Sequence, residues 1–205
     1  MNYLEFKRRL KMFSVFSITD IYKIEAGFDS RRLVEWQTKG YIKKIINRWY
    51  YFSDIIINEE FLYLTANNIY SPSYLSFETA LSYYQLIPEA VYTITSACSL
   101  KTNEFKTQLS NFSYRHLKPS LLFGYSLQGT ANHKVKMAEP EKALLDYLYL
   151  NKKINTDHSF EGLRINKDLI LSLMNMRKLN SYLKLYNNKT MELRVTNFLK
   201  YIQHA

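Results

Sequence analysis

Large apolar residues recur at helical spacing in the first quarter of the chain. Residues 2–12 are predicted to form an amphipathic helix, because four such side chains fall on one face: Tyr3, Phe6, Leu10 and Phe13. A second, short helix is predicted over residues 18–24, with Ser17 or Thr19 as its N-cap. The Ala26-Gly27 pair follows its end, so the chain is expected to begin with two helices and a break.

The pattern then changes from helical spacing to short β-prone runs. Residues 31–39 are predicted to form a third helix that begins at Asp29 or Ser30, and Gly40 stands where a helix can end in the left-handed conformation. Two strand-like runs follow, Tyr41–Ile46 and Trp49–Phe52. Only Asn47-Arg48 separates them, and this spacing predicts a tight β-hairpin.

Three helices followed by a hairpin is the element order of a winged helix-turn-helix, whose third helix enters the major groove of DNA. Arginine can read guanine with two hydrogen bonds and glutamate can accept one from cytosine, while basic residues on the hairpin would contact phosphates. The candidate DNA-binding residues are therefore Ser30, Arg31, Arg32, Glu35, Lys39, Lys43, Lys44 and Arg48. Two alternatives stay open: Glu35 can pair with Arg31 or Lys39 at four-residue spacing, and such modules also bind proteins.

The rest of the chain mixes helical and strand patterns, which predicts an α+β domain. Ser76 is expected to cap a helix, and four short β-prone runs predict a small antiparallel sheet: Val91–Ala97, Phe112–Leu117, Leu121–Leu127 and Lys134–Met137. Three helices are predicted to complete the domain, one from Pro140, one over 167–186 and one over 191–202. The predicted organisation is a winged helix-turn-helix over 1–53, a linker helix and loop over 54–72, and an α+β domain with C-terminal helices over 73–205.

The charge of the 205-residue chain fits either a solvated basic surface or a site for a polyanionic partner, and charge alone favours the former. Its formal net charge is +10, and residues 1–53 alone hold 11 basic against 5 acidic side chains, a net of +6. Hydrophobic residues make up 47% of the chain and charged residues 22%, which excludes intrinsic disorder as the main state. Cys98 is the only cysteine and no apolar run is long enough to cross a membrane, so we expect a cytoplasmic protein without a membrane partner.

The motifs of common enzymes and cofactor sites are missing from the sequence. The five glycines match no phosphate-binding or dinucleotide-binding loop, and no two of the four histidines are spaced as metal ligands on one helical face. We therefore expect no catalytic residue, no metal and no cofactor. One enzymatic alternative remains, a metal-dependent nuclease using Glu104 with Lys106, or the carboxylates and lysine at 139–142. The same Glu-x-Lys spacing also occurs at Glu5 and Lys7 inside the first helix, which makes the motif weakly specific.

Three stretches of the sequence are similar to a known family: Leu33–Ile45, Tyr74–Glu89 and Ala138–Asp146. In these stretches the chain resembles the AbiEi-type antitoxins, predicted transcriptional regulators of bacterial abortive-infection toxin-antitoxin systems. The chain departs from the family at Asn47-Arg48-Trp49, where the hairpin usually has a glycine, and at Tyr84-Gln85-Leu86, where His-Gly-Leu is expected.

The resemblance implies a protein without enzymatic activity. Its N-terminal winged helix would bind inverted repeats in its own promoter, as two protomers or a homodimer on double-stranded DNA. Its second domain would counter a nucleotidyltransferase-like toxin without forming a stable complex. No chemistry is assigned to Ala138–Asp146, so we expect this stretch to pack a helix onto the sheet.

Overall fold

The computed structural model describes residues 1–130 and 133–204. The N-terminal part contains helices α1 to α3 and strands β1 to β3: α1 (Tyr3–Arg9), β1 (Val15–Ser17), α2 (Ile18–Ile24), α3 (Arg31–Thr38), β2 (Ile42–Ile46) and β3 (Trp49–Phe52). The central part contains two helices and six strands: α4 (Glu59–Ile69), β4 (Ser73–Leu75), α5 (Phe77–Tyr83), β5 (Thr93–Cys98), β6 (Asn103–Lys106), β7 (Asn111–His116), β8 (Tyr125–Thr130) and β9 (His133–Ala138). The C-terminal part is helical: α6 (Pro140–Leu150), α7 (Asp157–Glu161), α8 (Lys167–Leu173), α9 (Met176–Leu185) and α10 (Lys189–His204). The protein is therefore of mixed α+β class with C-terminal helices, as predicted.

Local signals in the sequence account for the ends of the first helices. Ser17 begins α2 with a reciprocal capping box, in which its side chain accepts from the Asp20 backbone and the Asp20 carboxylate accepts from the Ser17 backbone. At α3 the cap is Asp29, whose carboxylate accepts from the Arg31 backbone N–H, whereas Ser30 makes no side-chain cap bond. Gly40 follows α3 with φ of 72°, the left-handed conformation predicted for it.

The hairpin gains a third strand that the sequence pattern did not predict. Strand β1 pairs antiparallel with β3, and β3 pairs antiparallel with β2, so the order is β1-β3-β2. Val15–Ser17 is only three residues long, too short for a period of two to be recognised. The pairing of β2 and β3 shifts between Lys44 and Ile46, which is a β-bulge at Ile45.

Both faces of this three-stranded sheet are buried. On one face Phe16, Tyr50 and Phe52 join a core with side chains from the first three helices, such as Phe6 and Trp36. On the other face, three residues of the sheet belong to the main core of the protein: Val15, Ile45 and Tyr51. The Tyr51 ring lies 5.4 Å from the ring of Phe61 in α4. The hairpin is therefore held on both sides and the N-terminal part is packed onto the rest of the chain.

The larger sheet has six strands in the order β6-β7-β5-β4-β9-β8. The expected antiparallel pairing occurs in β6–β7, β4–β5 and β8–β9. Two further pairs, β5–β7 and β4–β9, are parallel, so the sheet as a whole is mixed. Strands β4 and β6 were not predicted, and the run predicted as a strand from Leu121 is a 3₁₀ turn at Pro119–Leu121 followed by β8 from Tyr125.

The C-terminal helices differ in two places from the prediction. The helix expected over 167–186 is divided into α8 and α9, because Asn175 starts a new helix by accepting from the backbone N–H groups of Arg177 and Lys178. The predicted loop before it contains the short helix α7, which Thr156 caps. Within the described residues, no helix combines the length and the apolar composition needed to cross a membrane.

A buried polar cluster lies where α6 meets the sheet, and we call it the Asp146 cluster: Tyr74, Ser76, Lys142, Asp146 and Tyr186. Asp146 and Lys142 are completely buried and form an ion pair. Tyr74 and Ser76 donate to Asp146 Oδ2, both at 2.8 Å, and Tyr186 donates to Oδ1 at 2.7 Å. Burial lowers the pKa of the Lys142 ammonium against the attraction of Asp146, and burial raises the pKa of Tyr74.

The Asp146 cluster explains two sequence features differently from the predictions. Ser76 stands at the N-cap position of α5 but its side chain makes no cap bond, because its hydroxyl donates to Asp146. The stretch Ala138–Asp146 does pack a helix onto the sheet, yet it does so with a buried charge pair as well as with apolar side chains. Three separate parts of the chain, around β4, α6 and the end of α9, thus meet at one carboxylate.

Candidate nucleic-acid interface

Helix α3 is anchored by two apolar side chains and exposes the opposite face. Leu33 and Trp36 are only 2% and 3% exposed, and the Trp36 ring lies 4.5 Å from the ring of Phe6. Val34 is 66% exposed on the outer surface. The residues that share this exposed surface are Arg31, Glu35, Thr38 and Lys39. The polar face predicted for the third helix is therefore available to a partner.

Arg31 is exposed but engaged in an ion pair with Asp29. Its Nε lies 3.0 Å from Asp29 Oδ1, and one terminal nitrogen lies 2.9 Å from Oδ2, while the Arg31 side chain stays 90% exposed. This contact holds the pKa of Asp29 below its usual range. The guanidinium is thereby positioned at the first turn of α3, where a helix in the major groove meets base edges.

Arg32 and Ser30 take other positions. The Arg32 side chain is half-buried, and its Nη1 donates to the backbone carbonyl of Met1 at 2.7 Å. Arg32 thus ties the start of α3 to the start of the chain. Ser30 is exposed and its side chain makes no cap bond, so its hydroxyl lies beside Arg31 at the helix start.

Glu35 and Lys39 neutralise each other on the exposed face of α3. Lys39 Nζ lies 2.6 Å from Glu35 Oε1, and both side chains are about half exposed. The hydrogen bond to Lys39 lowers the pKa of Glu35 and raises that of Lys39. Of the two pairings considered for Glu35, the structure shows the one with Lys39.

The hairpin carries three exposed cations. Lys43 and Lys44 are both exposed on β2, while Ile42 before them and Ile45 after them are buried in the two different cores. Arg48 lies in the turn with φ of 70°, and its Nη2 is 3.5 Å from the hydroxyl of Thr19. In the described part of the chain, no ion pair involves any of these three cations.

Six of the eight predicted positions fall into two groups on the structure, and Ser30 and Arg32 belong to neither. Arg31, Glu35 and Lys39 form exposed ion pairs on α3, whereas the hairpin cations at 43, 44 and 48 are unpaired. Three residues that position these groups were not predicted as their partners: Asp29, Met1 and Thr19. Asp29 stands two residues before Arg31, and this spacing could have indicated that its carboxylate accepts from Arg31. The contact of Arg32 with Met1 joins residues far apart in the sequence, so no local pattern indicates it.

The two alternative sets of nuclease residues lie in different elements of the structure. Glu104 and Lys106 lie on β6, while Glu139 accepts from the Tyr182 hydroxyl at 2.6 Å and Glu141 accepts from the Asn175 backbone N–H at 2.7 Å. The residues at 139–142 are therefore engaged with α9 and the Asp146 cluster. Among residues 1–130 and 133–204, no three His, Cys, Asp or Glu side chains are grouped as around a metal ion.

Comparison with protein-family models and with curated proteins finds no relative of the chain. No protein-family model matches the chain. No curated protein matches it either. The interpretation of this surface therefore rests on its own residues and on the sequence resemblance given above.

Proposed function

We propose that residues 1–53 form a winged helix-turn-helix that binds duplex DNA, with α3 in the major groove and the β2–β3 hairpin on the phosphate backbone. The observation that carries this proposal is the exposure of Lys43, Lys44 and Arg48, which form no ion pair within the described residues, on a hairpin whose strand β2 contacts α3. Unpaired cations are the groups that displace counterions from DNA, and this displacement supplies most of the non-specific affinity.

In this proposal the two groups of residues have different tasks. The hairpin cations contact phosphates and set the position of the protein on the duplex. Arg31 exchanges Asp29 for a guanine edge, and Glu35 and Lys39 are the further candidates for base contacts. Asp29 repels phosphates and competes for Arg31, so a non-cognate site that offers no acceptor to Arg31 is disfavoured. Arg32 supports α3 through Met1.

The proposed biological role is that of a cytoplasmic transcriptional regulator and antitoxin of a bacterial abortive-infection system. It would repress its own operon by binding inverted repeats as two protomers, and it would counter a nucleotidyltransferase-like toxin without catalysing a reaction. The support is the resemblance of Leu33–Ile45, Tyr74–Glu89 and Ala138–Asp146 to the AbiEi-type antitoxins.

A gel-shift titration tests this function directly. The purified protein is titrated against the DNA directly upstream of its own gene and against a scrambled duplex of equal length, at two salt concentrations. We expect tighter binding to the upstream DNA and a steep loss of affinity with salt. Absence of binding to both duplexes at both salt concentrations would refute the proposal and favour a protein-interaction module.

Lys44→Ala is expected to weaken binding to cognate and scrambled DNA alike. If Lys44 contacts one phosphate, the slope of log K against log salt falls by about 0.9 in magnitude. Salt titrations of both duplexes measure this slope. Lys106→Ala, which removes the same charge from an exposed position on β6, is the control and should leave the slope unchanged. A Lys44→Ala slope equal to that of the unmodified protein would exclude this contact.

Arg31→Ala is expected to act on the cognate site alone. Loss of a bidentate base contact weakens cognate binding by about 1 to 3 kcal/mol. The scrambled duplex should bind the variant nearly as well as before, because Asp29 already neutralises much of the Arg31 charge. The ratio of the two affinities is the measurement. Equal losses on both duplexes would show that Arg31 contacts the backbone and not a base.

A further inference from the structure

The central part of the protein contains a cleft that the proposed DNA contacts do not use. Its volume is about 660 Å³, within the range of small-molecule sites. Strands β5, β7 and β6 form one side, α5 and Tyr147 of α6 form another, and Leu163 and Ile165 close it from the C-terminal part. A cleft of this size can bury most of a small organic molecule.

The strands present a row of polar side chains to the cleft. Thr95 pairs with Ser113, and Ser113 pairs with Glu104, so the three lie side by side on neighbouring strands. Phe112 and Tyr114 on either side of Ser113 are in the main core, which directs Ser113 to the cleft. Ser113 is only 7% exposed, and its hydroxyl has no hydrogen-bond partner among the described residues. The floor of the cleft thus offers a free hydroxyl beside a carboxylate.

Glu78 on α5 contributes a second carboxylate with spare acceptor capacity. Its Oε1 accepts from Arg115 Nη1 at 3.0 Å, and the Arg115 guanidinium lies 4.9 Å from the centre of the Phe77 ring. Its Oε2 is buried and has no hydrogen-bond partner in the part of the chain that the structure describes. A buried carboxylate oxygen without a donor is unfavourable, so a ligand that donates to it gains free energy.

The charges around the cleft favour a cation. Three carboxylates line it, those of Glu78, Glu89 and Glu104, together with the guanidinium of Arg115. Arg115 is paired with Glu78, and a terminal nitrogen of Arg164 beside the cleft lies 3.6 Å from Glu89 Oε1, so Glu104 is the carboxylate of the three that has no ion pair among the described residues. The remaining walls are mostly apolar and include Leu81 and Leu163. The polar groups are therefore acceptors for a positive charge, and the walls suit a hydrocarbon body.

We propose that this cleft binds a small organic cation, an ammonium or amidinium group on an aromatic or aliphatic body. The charged group would contact Glu78 Oε2 and Glu104, with the Ser113 hydroxyl accepting a further hydrogen bond. The apolar body would lie against Leu81, Tyr147 and Leu163. This proposal stands apart from DNA binding, since it uses none of the residues of the N-terminal part.

Titration calorimetry with three probes of similar shape tests the ligand class. The probes are phenethylammonium, its neutral counterpart 2-phenylethanol and the anion phenylacetate. We expect phenethylammonium to bind most tightly and phenylacetate least, because only the cation satisfies the carboxylates. No saturable binding of phenethylammonium up to about 20 mM, or equal binding of the alcohol, would overturn the proposal.

Variants then locate the site. Glu78→Gln and Glu104→Gln are expected to weaken phenethylammonium binding about tenfold, the effect of losing a hydrogen bond to a charged group, and to leave 2-phenylethanol unchanged. Glu192→Gln makes the same charge change on an exposed position of α10 outside the cleft, and is the control. If Glu78→Gln does not fold, as judged by circular dichroism, the binding of phenethylammonium to Glu104→Gln tests the site. Unaltered cation binding by the folded cleft variants would place the cation elsewhere and refute the site.

Discussion

Asp146→Ala is expected to lower the free energy of unfolding by about 3 to 5 kcal/mol, because it leaves a buried charge without its partner. Lys142 is completely buried and would keep only the Tyr186 hydroxyl as a hydrogen-bond partner. The hydroxyls of Tyr74, Ser76 and Tyr186 would lose their common acceptor at the same time. Each buried donor left unsatisfied adds to the loss.

Chemical denaturation followed by far-UV circular dichroism measures this effect. Asp168→Ala, which removes an exposed carboxylate from α8, is the control and should change stability by less than about 0.5 kcal/mol. Lys142→Met should be less damaging than Asp146→Ala, since Asp146 keeps three hydroxyl donors and methionine fills a similar volume. A loss below about 1 kcal/mol for Asp146→Ala would mean that the ion pair is not what holds α6 in place.

Phe6→Ala is expected to destabilise the N-terminal part by about 3 to 5 kcal/mol, the usual range for removing a buried aromatic ring. Phe6 is completely buried, and its ring contacts four others: Phe16 at 5.6 Å, Phe28 at 5.7 Å, Trp36 at 4.5 Å and Phe52 at 5.8 Å. These rings come from β1, α3, β3 and the loop before α3. Without the Phe6 ring these four rings lose packing contacts, so α3 would be held less firmly on the three-stranded sheet.

Tryptophan fluorescence reports this change selectively, because both tryptophans, Trp36 and Trp49, lie in the N-terminal part. The denaturation midpoint of the fluorescence signal should fall in Phe6→Ala, and DNA affinity should fall with it. Phe13→Ala is the matched control. Because Phe13 is 40% exposed, this substitution should lower the free energy of unfolding far less. An unchanged fluorescence midpoint in Phe6→Ala would contradict the assignment of Phe6 to the centre of this core.

The same two signals, measured on the unmodified protein, test how strongly its parts are coupled. Val15, Ile45 and Tyr51 of the three-stranded sheet belong to the main core and not to the Phe6 core. We therefore expect the fluorescence and circular dichroism transitions of the unmodified protein to coincide. Two separate transitions would show that the N-terminal part unfolds by itself.

Much of the candidate interface was predictable because its signals are local. The helical spacing of α3, the left-handed Gly40 and the two-residue hairpin turn each depend on residues close in the sequence. The exposed lysines of β2 follow from the same local pattern. In contrast, the position of Arg32 against Met1 joins residues 31 positions apart, and no periodicity indicates it.

In the rest of the chain, too, the features with local signals were predicted and those that depend on distant residues were missed. Helices α6 and α10 were predicted close to their observed positions, since an apolar face over 11 or more residues is a strong signal, whereas α8 and α9 were predicted as one helix. Strands β1, β4 and β6, of three or four residues, were missed because so short a run shows no clear alternation, whereas β3, also of four residues, was predicted from the two-residue turn before it. A short strand forms only where a strand from another part of the chain pairs with it, so its own sequence does not predict it.

The sequence by itself determined the α+β class, the positively charged N-terminal quarter and the main helices, because composition and short-range spacing are properties of the chain alone. Only the tertiary structure decided the mixed order of the six strands, the burial of Lys142 with Asp146, and the row of Thr95, Ser113 and Glu104 along the cleft. Each of these depends on contacts between residues distant in sequence. The free energy that stabilises these features comes from burial and hydrogen bonding between elements, and such contacts form only when the chain folds.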